Sequence, residues 1–281
     1  MKKLTERQKR GYLLWGLGLI IILMLFMFKN QIESLPQTWK NLVNLFATLG
    51  NILILYSIFG LIIEKPIKMN LPEKYLGRRL LQGLGVGGFL LILYMILAYF
   101  LGGLTYQGYG GLTWWGILLY GIGFGVQSFS EELLVRGIIQ DFLTRRNLLL
   151  ALVAPSLLFS LLHLFNDHFS WIAMINTFLI GLIFALMTYI TGSLWMATGA
   201  HMIWNFLLGP IFGQPVSGNP MEKTLFQFPI VEGRELINGG FYGAEASVTV
   251  LIILALTTLI FIWISAKTNP GKRRKGSIEN F

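Results

Sequence analysis

The sequence predicts an all-α, polytopic membrane helix bundle, and three observations carry that prediction. Hydrophobic residues fill 54% of the 281 positions and charged residues 12%, against roughly 25% charged in an ordinary soluble domain. The apolar residues come in long blocks, the pattern of membrane helices rather than of one large soluble core. The basic residues behind the formal net charge of +9 gather on one side of those blocks.

Eight apolar spans are expected, at about 11–28, 41–63, 80–103, 112–143, 148–165, 170–190, 193–213 and 246–266, with ends placed to roughly 2–4 residues. The first follows "MKKLTERQKR" without a small-residue cleavage site, so it reads as a retained span rather than a removed signal peptide. Eighteen Lys and Arg fall on the side of the N-terminus, of "EKPIKMNLPEKYLGRR", of "DFLTRRN" and of the tail, Arg136 included. Only Lys29, Lys40, Lys223 and Arg234 fall on the other. Lys and Arg stay inside, so both termini are expected in the cytoplasm of a multi-pass cell-membrane protein. The basic excess is then a topology signal with some attraction to anionic lipid, and the partner it implies is the bilayer, not nucleic acid.

The whole chain, 1–281, reads as one membrane domain. Its parts are core helices over 110–210, an external loop at 214–245 and a basic cytoplasmic tail at 267–281. The loop, rich in Pro and Gly, either lies along the membrane or covers a site. The glycines of "GLGVGG" (83–88) and "GIGFG" (121–125) sit inside apolar spans and read as close-packing positions between helices, not phosphate loops. With no cysteine in the chain, disulfides, thiolate metal sites and a Cys nucleophile are excluded.

Polar residues inside the spans carry the functional argument. In "SFSEELLVRGIIQ" two glutamates lie deep in the fourth span, where an ionised residue costs roughly 2.5–3.5 kcal/mol and therefore faces a cavity or a partner. Glu132 and Arg136 are four apart and can form a helix ion pair. Glu131, turned about 100° from Glu132, is left without a partner and is the stronger functional candidate. "FSLLH" places Phe159 and His163 four apart at the end of the fifth span, and "HMIWN" places His201 and Asn205 on one face of the seventh. Alone, either histidine reads as a buried side chain with a satisfied hydrogen bond, and His168, in "FNDHFS", as an interfacial one. At ~1.5 Å of rise per residue, the depths of Glu131, His163, His201 and Asn205 allow one polar pocket near mid-membrane.

Such a pocket suits hydrolysis by an activated water. A carboxylate in apolar surroundings makes a competent general base. Glu131 with His163 can hold and deprotonate water, while His201 and Asn205 can donate to the oxyanion formed on a carbonyl. Glu132, Arg136 and Phe159 would brace the site.

In order and spacing these residues resemble the CPBP family of intramembrane proteases, also called CAAX proteases, bacteriocin-processing or Abi proteins. The family pattern EExxxR, FxxxH, HxxxN stands here as "EELLVR", "FSLLH" and "HMIWN". The resemblance covers about 110–210. It implies an eight-helix, metal-free endopeptidase in which Glu131 and His163 activate water and His201 and Asn205 stabilise the oxyanion. Its implied substrate is a membrane-associated protein or peptide, prenylated in eukaryotic members, with peptide maturation and bacteriocin self-immunity among bacterial roles.

Three other readings stay open. A zinc protease could draw on His163, His201 and a glutamate, although HExxH is missing. A proton-coupled transporter could titrate Glu131, although no inverted repeat is evident. A non-catalytic immunity or regulatory protein could bind peptides in the same pocket.

Overall fold

Polar caps start several of the helices. Thr113 accepts from the Gly116 N–H, Asn147 from Leu150 N–H and Ser170 from Ala173 N–H, each satisfying a backbone donor that the first turn leaves free. The structure is a computed structural model that describes residues 34–62, 75–144 and 146–268, with Gly18 and Ile32 besides. The rest of the first expected span, the loop at 63–74, Arg145 and the tail past Thr268 lie outside the described residues.

Seven long helical segments match the other seven spans: α1 (Gln37–Ile62), α2 (Leu76–Phe100), α3 (Trp114–Glu132), α4 (Leu148–Leu161), α5 (Trp171–Thr191), α6 (Trp195–Phe206) and α7 (Val248–Thr268). Among the described residues no strand occurs, only isolated bridges. Among the described residues three helices, α2, α5 and α7, are long and apolar enough to cross a membrane. Three others leave the α-helical winding before their expected spans end. The span 148–165 is helical only to Leu161 and ends in a turn. Past Phe206, α6 continues as a π-helical stretch, Leu207–Ile211, whose Pro210 has no N–H to donate. Likewise α3 runs without interruption into a π-helical stretch, Leu133–Gln140, and a last turn, Asp141–Thr144.

Glycines set the closest crossing. A Cβ on Gly83 would stand 2.0 Å from the Met196 carbonyl oxygen, and one on Gly87 2.4 Å from that of Ala200. From the other side, a Cβ on Gly199 would meet the Leu80 carbonyl at 2.4 Å. The α2 and α6 backbones therefore touch, as the small-residue reading of 83–88 predicted. In the second glycine run, Gly123 faces Leu45 of α1. Around this pair, α1 and α6 pack on α3, while α4 and α7 pack on α5.

The segment 214–245 covers one end of the bundle. Its N–H groups at Leu225, Phe226 and Phe228 bond the Pro210, Ile211 and Phe212 carbonyls that end α6, and it pairs with 103–112 through Gln107, Gly110 and Leu112. Asn238 locks the pairing by donating to the Gly103 and Val231 carbonyls, and Tyr94 of α2 donates to its backbone oxygen. We refer to 214–245 below as the cap.

Candidate active site

Arg136, fully buried, anchors the site from the π-helical part of α3. Its Nη1 donates to Glu132 Oε1 at 3.1 Å and its Nη2 to the Gly181 carbonyl of α5 at 2.9 Å. Four residues on, Gln140 makes the matching bond to the Ala185 carbonyl at 2.8 Å. The guanidinium also lies over the Phe159 and Phe184 rings, 4.7 and 5.5 Å from their centroids, a favourable placement for a cation. A charge with no access to water is thus held by a carboxylate, a carbonyl and two ring faces. The π-helical winding begins directly after the two glutamates, and such windings often mark functional positions in helices.

Glu132 is more than the arginine's partner. Its Oε1 also accepts from His201 Nδ1 at 3.0 Å, which puts the proton on that nitrogen and turns Nε2 toward Glu131 Oε2, 3.9 Å away. The expectation that Glu131 is left alone is therefore corrected. One imidazole presents a nitrogen to each glutamate, so the rotation between neighbouring helix positions still brings both carboxylates to it. The His201 ring is stacked on Phe184 at 5.4 Å and met edge-on by Phe159 at 5.7 Å.

His163 is set by the turn that ends α4. Its backbone N–H bonds Ser160 instead of continuing the α-helical pattern, and the Phe159 carbonyl this frees accepts from His163 Nδ1 at 2.7 Å. A carbonyl can only accept, so Nδ1 carries the hydrogen and Nε2 keeps its lone pair. The Phe159 ring packs against this imidazole at 4.9 Å. His163 lies within electrostatic reach of Glu131 and His201.

A cavity of about 640 Å³ joins these groups, within the usual size of a ligand site. Glu131, His163, His201 and Asn205 all line it. Glu131 is partly open to it, its side chain 28% exposed, whereas Glu132 is fully enclosed behind. His168 lies elsewhere, exposed and against Phe241. Among the described residues no three His, Cys, Asp or Glu gather as ligands of a metal ion would.

Sequence reasoning missed Glu245. It lines the same cavity and is buried, accepting from Trp204 Nε1 at 3.1 Å and from the Ser217 N–H at 3.3 Å. Asn176 of α5 fixes its backbone by donating to the Glu245 and Ser247 carbonyls. Burial pushes its carboxyl above the ordinary glutamate range, and the indole and backbone hydrogen bonds oppose that only in part. An acid three residues before an apolar helix is a common surface feature, so only the folded chain identifies this one.

The outcome of comparison with known proteins agrees with the motifs. Residues 111–207 match the family model described as Type II CAAX prenyl endopeptidase Rce1-like. The matched segment contains all three motifs and bears out the resemblance read from them. Glu245, the cap and the first two described helices lie outside it. Among curated proteins and among solved structures, nothing matches the chain.

Proposed function

We propose, from a segment of type II CAAX prenyl endopeptidase character, that this membrane protein is a metal-free intramembrane endopeptidase acting on a membrane-associated protein or peptide. The observation that carries the reading is the two-sided hold on His201, by Glu132 at 3.0 Å and Glu131 at 3.9 Å, in the cavity shared with His163 and Asn205.

The site residues divide the work as follows. Glu131 and the free Nε2 of His163 hold a water molecule between them. Glu131 takes one of its protons as the oxygen bonds to the substrate's carbonyl carbon. The carbonyl oxygen gains the displaced electron pair and accepts hydrogen bonds from His201 Nε2 and the Asn205 amide. Donating from Nε2 requires the imidazolium form, since the Nδ1 hydrogen already points at Glu132. As the tetrahedral intermediate collapses, the C–N bond breaks and the proton held by Glu131 passes to the leaving amine. No protein nucleophile and no metal take part. In a cell membrane this chemistry serves peptide maturation or self-immunity.

The test compares cells carrying wild type with cells carrying Glu131→Gln, searching by mass spectrometry for peptides and new protein termini. Termini present only with the wild type establish cleavage. Identical profiles at equal protein levels, with cellular function intact, leave a peptide-binding protein instead.

A further inference from the structure

The cavity reaches the cap end of the bundle, where its lining includes the exposed Asn219. Its rim is formed by Asn41 at the start of α1, Asn166 in the turn after α4, and Ser217, Asn219 and Met221 of the cap. These pieces are tied together, Asn41 donating to the Pro220 carbonyl and Asn166 to that of Ser217. No residue of 76–82, 141–150 or 188–196, which form the other end of the bundle, lines it. Exposed aromatic rings surround the rim's end: Trp114 (84%), Trp115 (74%), Phe165 (94%) and Trp171 (73%). Such rings mark the level where lipid meets water. Among the described residues the opposite end carries Arg78, Arg79, Arg146 and Lys267, the side that the Lys and Arg pattern of the sequence assigns to the cytoplasm. The rim therefore faces away from the cytoplasm.

The lining adds a chemical preference. Among the described residues no Lys or Arg lines the cavity, while Glu131 and Glu245 do. The Asn amides of the rim offer donor and acceptor together, as a peptide backbone does.

We propose that the substrate is an extracytoplasmic peptide segment that reaches Glu131 through this rim. The word substrate rests on the hydrolysis proposed above; the side of access does not.

The chain's lack of cysteine makes the test direct. Single-cysteine variants Asn219→Cys at the rim, Asn44→Cys in the cavity wall and Arg146→Cys at the opposite end are treated with a membrane-impermeant maleimide. In intact cells Asn219→Cys and Asn44→Cys are expected to react, and Arg146→Cys only after permeabilisation. The reverse pattern overturns the proposal. So does an Asn44→Cys that never reacts while Asn219→Cys does, because the rim then leads nowhere. In the same cells, termini that vanish with Glu131→Gln are expected in exported or extracytoplasmic segments. Finding them in cytoplasmic tails overturns the proposal and leaves the hydrolysis standing. Finding none, with external labelling intact, removes the hydrolysis and keeps the side of access.

Discussion

Arg136 shows what a single residue must satisfy in this bundle. With no exposure, its charge stays only because Glu132, the Gly181 carbonyl and two aromatic rings surround it. Removing one partner of such a pair costs about 3–5 kcal/mol, so Arg136→Ala is expected to lower abundance and activity together, read by immunoblot and cleavage assay. The double variant Glu132→Gln/Arg136→Met should recover abundance without activity, since His201 Nδ1 has then lost its carboxylate. By contrast Glu131→Gln, His163→Ala and His201→Ala should leave the protein at wild-type levels and lower cleavage by ~100-fold or more. Asn205→Ala, removing one oxyanion donor, should cost about 10²–10³ in kcat with little change in KM. A KM effect alone would remove Asn205 from that role.

Helices decide where these residues meet, and the α2–α6 contact is the most exacting. A methyl group on Gly83 has no room, with the Met196 carbonyl at 2.0 Å, whereas Gly85, two residues on, has nothing within 4 Å. Gly83→Ala must therefore push α6 away, and His201 with it. Overpacking typically costs about 1–3 kcal/mol, so the melting temperature in detergent and the cleavage rate should both fall. Gly85→Ala should change neither, or raise stability slightly through helix propensity. Equal effects at the two positions would mean that close backbone packing does not place the site.

At the scale of the molecule, Glu245 joins the cap to the bundle through Ser217 and Trp204. A carboxyl whose value is raised by folding stabilises the folded state below its ordinary value of 4.5, and that contribution is lost as pH rises through the raised value. The melting temperature of the wild type relative to Glu245→Gln should therefore decline as pH increases from about 4.5 toward neutrality. A difference independent of pH would show that folding does not raise this carboxyl.

Much of this was legible in the chain itself. Long apolar blocks are unmistakable because each helix must be apolar along its whole length to sit in lipid. The three motifs stood out because polar residues in such blocks are costly and few. The Glu132–Arg136 pair followed from helix spacing alone, and so did the placing of His201 and Asn205 on one face. What sequence spacing could not give was contact between helices. That His201 is shared by both glutamates depends on α6 resting against α2 through Gly83, Gly87 and Gly199. That His163 bonds the Phe159 carbonyl through Nδ1 depends on α4 ending at Leu161, four residues short of its span. That 214–245 covers the site, and that Glu245 belongs to it, depends on hydrogen bonds between segments far apart in the chain. Sequence by itself determined the all-helical class and singled out residues that the fold brings to one cavity, because lipid imposes strict local rules. Only tertiary structure decided which nitrogen faces which carboxylate and which distant segments line the cavity, because those depend on distances no local rule controls.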